Sequence, residues 1–164
     1  MHSIQKQEPP MALDIRLDKH LTDPRIAAFL QQHLDDMHRT SPPESVHALD
    51  LQALRDPAIH FWTAWQGEQI VGTVALKRLD AEHAELKSMR CSAEVRGQGI
   101  GRALLVHALA QARELGFQRL SLETGTHAEF IPAQTLYRSH GFQDCGPFGS
   151  YGLDPHSCFM SMAL

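Results

Sequence analysis

The order of segments along the chain predicts a single α/β domain with a mixed central sheet, antiparallel in its front half and flanked by helices. Three observations carry that expectation. Segments of alternating polarity, the mark of half-buried strands, exchange with segments whose apolar residues recur at helical spacing. Two strand-like segments, IHFWTAWQ and IVGTVALKRL, are separated only by a short turn and are followed by a third, HAELKSMRC, at 83–91. A glycine-rich loop, VRGQGIG at 95–101, then joins that third strand to a long apolar-periodic segment.

Residues 1–11 read as a flexible tail and 12–164 as the domain, beginning with ALDIRL at 12–17, which alternates like a strand. TDPRIAAFLQQHLDDMHRT follows as a helix, with Asp23 as N-cap, Pro24 in the first turn, and Ile26, Phe29, Leu30, Leu34 and Met37 on one face. TSPPES at 40–45 breaks it, and a short helix is expected at Asp50 to Arg55. HFWTAW reads as a buried strand, which makes Trp62 and Trp65 packing residues. After the glycine loop, Leu105, Leu109, Ala112 and Leu115 define a helix that Gly116 ends. RLSLET is a strand, IPAQTLYRSH a short helix between Pro132 and Gly141, and CFMSMAL a final strand.

Composition narrows the function. At 164 residues, with 43% hydrophobic and 21% charged residues, the chain is that of a soluble globular protein of one domain. A formal net charge of -4 offers no basic footprint for nucleic acid. The first residues lack an apolar leader core and no run approaches the length of a membrane span, so the expectation is a cytoplasmic protein with no membrane partner. Cys91, Cys145 and Cys158 have neither zinc nor redox spacing, which suits free thiols. Eleven histidines are scattered without a ligand pattern, so no metal is expected, and His107 is expected on an exposed helix face.

The glycine loop is not a Walker A loop, because no Gly-Lys-Ser/Thr follows Gly97 at the required interval. Nor is it a dinucleotide fingerprint: Arg102 and Leu104 stand where the third glycine would belong. What remains is strand, Arg-x-x-Gly-x-Gly, helix. Glycines let successive backbone N–H groups turn inward, and the helix N-terminus adds its own donors and the positive end of its dipole. A plain strand-to-helix turn is the alternative; the flanking arginines and the capped helix favour an anion, and a pyrophosphate in particular.

At this point the sequence resembles the GCN5-related N-acetyltransferases, or GNAT family, and within it a bacterial subgroup of small-molecule acetyltransferases that HRTSPPESVHAL resembles. The family signature Arg/Gln-x-x-Gly-x-Gly/Ala is met by Arg96, Gly99 and Gly101, and a second, Leu-Tyr-x-x-x-Gly-Phe, by Leu136, Tyr137, Gly141 and Phe142. The resemblance implies an enzyme that transfers acetyl from acetyl-CoA to a small-molecule amine in a ternary complex. It implies that Met89, Arg90 and Cys91 run beside the pantetheine arm and that Arg96, Gly97, Gln98, Gly99, Ile100, Gly101 and Arg102 hold the pyrophosphate. Phe130 stands where members often carry asparagine. A homodimer is compatible with it. The rival readings are a coenzyme A-binding or sensing module without catalysis and a nucleotide-binding regulator.

Acyl transfer to an amine needs a proton acceptor, because an alkylamine is mostly protonated at neutral pH. The resemblance implies Glu85 as that base, with Glu123 the competing carboxylate. The leaving thiolate needs a proton donor, a role the resemblance gives Tyr137; the alternative is a core tyrosine, since Ala133, Leu136, Tyr137 and His140 share a face. For the acceptor, Arg39, Ser41, Glu44, Ser45 and His47 form a polar cluster after the first helix, with Lys87 and Arg90 nearby on the central strand. Arg39 and His47 are the expected anchors for a carboxylate on the amine substrate. Strand alternation sets Arg90 on the face opposite Glu85, Lys87, Met89 and Cys91, unless a bulge intervenes.

Overall fold

The computed structural model describes residues 12–45, 50–95 and 97–164, so the expected roles of His47 and Arg96, and the tail at 1–11, lie outside the described residues. Seven strands form one sheet in the order β1-β2-β3-β4-β5-β7-β6. They are β1 Asp14–Leu17, β2 Ile59–Gln66, β3 Gln69–Arg78, β4 His83–Cys91, β5 Arg119–Gly125, β6 Gln143–Cys145 and β7 Ser157–Ala163. Among the described residues, only β4 and β5 pair in parallel; the five other pairings are antiparallel. Three α-helices among the described residues, α1 Pro24–Thr40, α2 Ile100–Glu114 and α3 Ile131–Ser139, complete the mixed α/β domain.

Local sequence explains the boundaries. Asp23 caps α1 by accepting from the Arg25 N–H at 2.9 Å, and Pro24 sits where its missing N–H costs nothing. Gly116, at φ 86, takes the left-handed turn that ends α2. Where a short helix is expected after Asp50, the chain makes a single 3-10 turn, Ala53–Arg55, held by the Asp50 carboxylate on the Ala53 N–H at 2.8 Å. The three-residue β6 carries no signal in the sequence because so short an edge strand has no period to read.

Apolar residues divide over the two faces of the sheet. On one face Ile26 and Leu30 of α1 pack with Phe61, Trp65 and Ala75. On the other, Leu104, Leu105, Ala108 and Ala112 of α2 and Tyr137 of α3 pack with Trp62, Val74, Leu86, Leu120 and Leu122. Both tryptophans are buried. Gly72 admits α2 closely: a Cβ there would stand 2.7 Å from Leu104 Cδ1 and 2.9 Å from the Arg90 carbonyl oxygen. His107 corrects the expectation of an exposed ring. It is half-buried, edge-on to Trp62 at 5.3 Å between centroids, and burial lowers its basicity. A helix face opposite the main stripe can still meet the sheet where a large neighbour such as Trp62 reaches it.

Candidate active site

Parallel pairing of β4 with β5 runs from His83↔Arg119 to Leu86↔Leu122, while β4 continues to Cys91 and β5 to Gly125. A bulge in β4 marks the separation. Lys87 pairs with Ala75 and Arg90 with Thr73, so Ser88 and Met89 together face Val74 alone. Ser88 takes φ 52, and the Thr73 hydroxyl secures it by donating to the Ser88 carbonyl at 2.7 Å. The extra residue reverses the alternation, so Glu85, Lys87 and Arg90 share the face turned toward α1. Arg90 there pairs with Asp36 and donates to His33 Nδ1 at 3.3 Å. Simple alternation therefore misplaces Arg90, and the bulge is the reason.

Two cavities meet in the opening. The outer is a cleft of about 1100 Å³, walled by Met89, Arg90 and Cys91, by Gly97 and the residues from Gly99 to Arg102, and by Asp36 and Arg39 of α1. The inner is a pocket of about 120 Å³, lined by Glu85, Lys87, Glu123, Thr124 and Gly125 among others. His33, Met37, Met89, Phe130, Ala133 and Tyr137 border both.

The mouth of the outer cleft suits an anion. Gly97 and Gly99 adopt φ 81 and 78, conformations that only glycine takes without strain. Gly99 is the N-cap of α2, and the first N–H groups of a helix have no acceptor within it. Gly101 lies close against the end of β4: a Cβ there would meet Cys91 Sγ at 3.4 Å. These residues have the geometry of an anion site at the mouth of the cleft. Gln98 and Arg102 are exposed beside them.

The inner pocket holds the two candidate carboxylates in different surroundings. Glu85 is 3% exposed, and its Oε2 accepts from the Tyr151 hydroxyl at 2.5 Å and from Lys87 Nζ at 3.1 Å. Lys87 also donates to the Tyr151 oxygen at 2.7 Å, which closes a buried triangle. Burial and the Glu85 carboxylate push the Tyr151 phenol above its usual value, so it stays a donor. Glu123 is pushed up to about 7, chiefly by burial. Burial also raises the Tyr137 phenol, and it holds His33, with Arg90 adding to the effect, down to about 4.

The remaining acceptor candidates lie apart. Arg39 borders the outer cleft, largely exposed and paired with Asp36. Ser41 ends α1 by donating its N–H to the Met37 carbonyl at 3.0 Å, and Glu44 is exposed on the following turn. Buried Ser45 donates to Asp154 Oδ2 at 2.6 Å, tying that turn to the segment between β6 and β7. The same segment supplies Tyr151, a residue that sequence reasoning passed over. Its signal was an aromatic pair, Phe148 and Tyr151, inside the glycine-rich stretch GPFGSYG. His33 was passed over too, although it lies one turn from both Leu30 and Met37. Among the described residues, no group of three or more His, Cys, Asp or Glu could hold a metal ion, and no helix is long and apolar enough to cross a membrane.

A sheet opened between two parallel strands, with an anion-ready helix terminus outside and a carboxyl and a phenol inside, is the layout of an enzyme site suited to acyl transfer. Comparison with known proteins places it more closely. The chain belongs to the acetyltransferase (GNAT) family, whose profile matches residues 26–142. It is 47% identical over 152 residues to the uncharacterized N-acetyltransferase YsnE of Bacillus subtilis (strain 168), spanning 93% of this chain and 100% of that one. A Klebsiella pneumoniae subsp. pneumoniae MGH 78578 structure, by name an acyl-CoA N-acyltransferase, superposes with a TM-score of 0.73 at 28% identity, over 93% of this chain and 97% of its own. A GNAT acetyltransferase of Elizabethkingia anophelis with acetyl-CoA bound shares the fold, at a TM-score of 0.63 and 18% identity over 93% and 98% of the two chains. Family membership makes this protein an acetyl-transferring enzyme.

Proposed function

We propose that the protein transfers the acetyl group of acetyl-CoA directly to the amine of a small molecule while both are bound. The observation that carries this reading is the adjacency of the outer cleft and the inner pocket, which share Tyr137 and five other residues in their walls. The donor's pyrophosphate lies on the loop from Arg96 to Arg102, its pantetheine arm runs along Met89 to Cys91, and its thioester reaches the junction. The acceptor waits in the inner pocket, whose volume of about 120 Å³ suits a compact amine.

Glu123 is the base in this reading. A carboxyl near 7 is half ionised at neutral pH, the condition in which a general base works best. The substrate ammonium gives a proton to Glu123, and the nitrogen lone pair adds to the carbonyl carbon. The C–S bond then breaks, and sulfur leaves with the electron pair and takes the Tyr137 hydroxyl proton. The remaining extra proton on nitrogen restores the phenol. Since burial holds that phenol above its ordinary value, the two proton movements are coupled. Glu85, the base implied by resemblance, instead holds Lys87 and Tyr151 in place, because both are already bound to its Oε2.

Free-thiol release from acetyl-CoA, followed across a panel of amino acids, amino alcohols, polyamines and lysine peptides, tests the reading. Release dependent on one class of compact amine is the expected outcome. Thiol release that no amine accelerates would overturn it.

A further inference from the structure

Six residues border both cavities, and two of them, Tyr137 and His33, carry polar side chains. They come from opposite faces of the sheet. Tyr137 belongs to the core shared with α2, whereas His33 rides on α1, whose Ile26 and Leu30 pack against the other face. A thioester carbonyl carbon at the junction carries sulfur on one side and oxygen on another. The same carbon also bears the methyl group, and with the phenol serving sulfur from the α3 side, an oxygen turned to the α1 side meets His33, the polar side chain that α1 brings to the junction.

The state of the His33 ring is fixed by its partner. A guanidinium has donors only, so the 3.3 Å contact makes Nδ1 the acceptor of an Arg90 N–H. A neutral ring then carries its one proton on Nε2. Asp36, one turn along α1, pairs with Arg90 and keeps the guanidinium beside His33. The bulge at Ser88 and Met89 is what turns Arg90 toward α1 in the first place. Burial, reinforced by the Arg90 charge, keeps the ring neutral above a pH of about 4.

We propose that His33 is a catalytic hydrogen-bond donor, whose Nε2–H, set by Arg90 on Nδ1, stabilises the thioester carbonyl oxygen as that oxygen gains negative charge. The inference rests on the donor placement of the proposed function. An oxygen that becomes anionic in the transition state gains most from a donor already in place, and removing one such donor typically costs on the order of 10² to 10³ in kcat. Neutrality suits the role: the ring donates without carrying a charge whose burial would itself be costly.

Two readouts test the proposal. His33→Phe keeps a ring of similar size and lacks a donor, whereas His33→Gln supplies an amide donor; His33→Asn, which is too short to reach, serves if the Phe protein does not fold. With the fastest amine of the panel, His33→Phe should lose about 10² to 10³ in kcat with both Michaelis constants nearly kept, and His33→Gln should regain at least tenfold of the loss. Isotope-edited infrared spectra of bound [1-13C]acetyl-CoA need no acceptor. The carbonyl stretch should lie at lower frequency on wild type than on His33→Phe, with His33→Gln between them. Equal carbonyl bands in proteins that all bind the donor, or an unimpaired kcat in His33→Phe, would overturn the role of His33 and leave the donor site standing. Failure of wild type to bind acetyl-CoA would overturn the donor site, and the His33 role with it.

Discussion

Glu85 and Glu123 look alike in the sequence, each a carboxylate on a strand near the end of a motif; their surroundings separate them. Glu85 is bound by a lysine and a tyrosine that lies 66 positions away in the chain, a partner no local pattern discloses. Glu123 is buried enough to be pushed up to about 7. Two outcomes follow at this scale. Wild-type kcat/KM should rise with pH through a limb near 7, since Glu123 must lose its proton to act; Glu123→Gln should lower kcat by about 10² to 10⁴ and remove that limb. Glu85→Ala should act on the fold instead. Removing the carboxylate takes the shared acceptor from Lys87, whose side chain is 9% exposed, and from the Tyr151 hydroxyl, a loss of about 1 to 3 kcal/mol that urea unfolding would register. If Glu85→Ala unfolds like wild type and only turnover suffers, Glu85 belongs to the chemistry rather than to the fold.

Among elements, those with a clean period or a strong cap were legible in the sequence. Asp23, Pro24 and the apolar spacing located α1, and Gly116 ended α2. The bulge in β4 was foreseeable only as a contingency, because its cause is tertiary: the Thr73 hydroxyl on the neighbouring strand holds Ser88 in a left-handed conformation. Everything that Arg90 does follows from that one extra residue. Gly72, unlike the loop glycines, is required by contact rather than by φ, as α2 crosses directly over it. Gly72→Ala should therefore destabilise the protein by about 1 to 3 kcal/mol, as overpacking does, with a lowered thermal midpoint as the measure. Gly99→Val should behave in the opposite manner. No atom lies within 4 Å of an added Cβ, but φ 78 is strained for valine and the side chain would crowd the anion site, so acetyl-CoA affinity should fall, as read by calorimetry. Unchanged affinity in a folded Gly99→Val protein would remove the pyrophosphate from that loop.

The whole molecule joins groups whose titrations oppose each other. In folding, Glu123 moves from an ordinary value of 4.5 up to about 7, and His33 moves from 6.5 down to about 4. A raised carboxyl contributes stability that is present below 4.5 and lost as pH rises through 7. A depressed histidine does the reverse: its contribution is present above 6.5 and is lost as pH falls toward 4. Between about 4.5 and 6.5 the unfolded chain holds one proton on His33 and none on Glu123, while the folded chain holds one on Glu123 and none on His33. Equal proton counts mean that the pair adds no slope to stability in this window. Single variants break the balance in opposite directions. In His33→Phe the Glu123 contribution stands alone, so stability should fall relative to wild type as pH rises across the window; in Glu123→Gln it should rise. Each slope approaches about 1.4 kcal/mol per pH unit, the value for one proton. Denaturant titrations of the three proteins at pH 4.5, 5.5 and 6.5 measure the differences directly. Parallel curves would mean that neither group titrates as its burial requires, and would remove Glu123 as a base working near neutral pH.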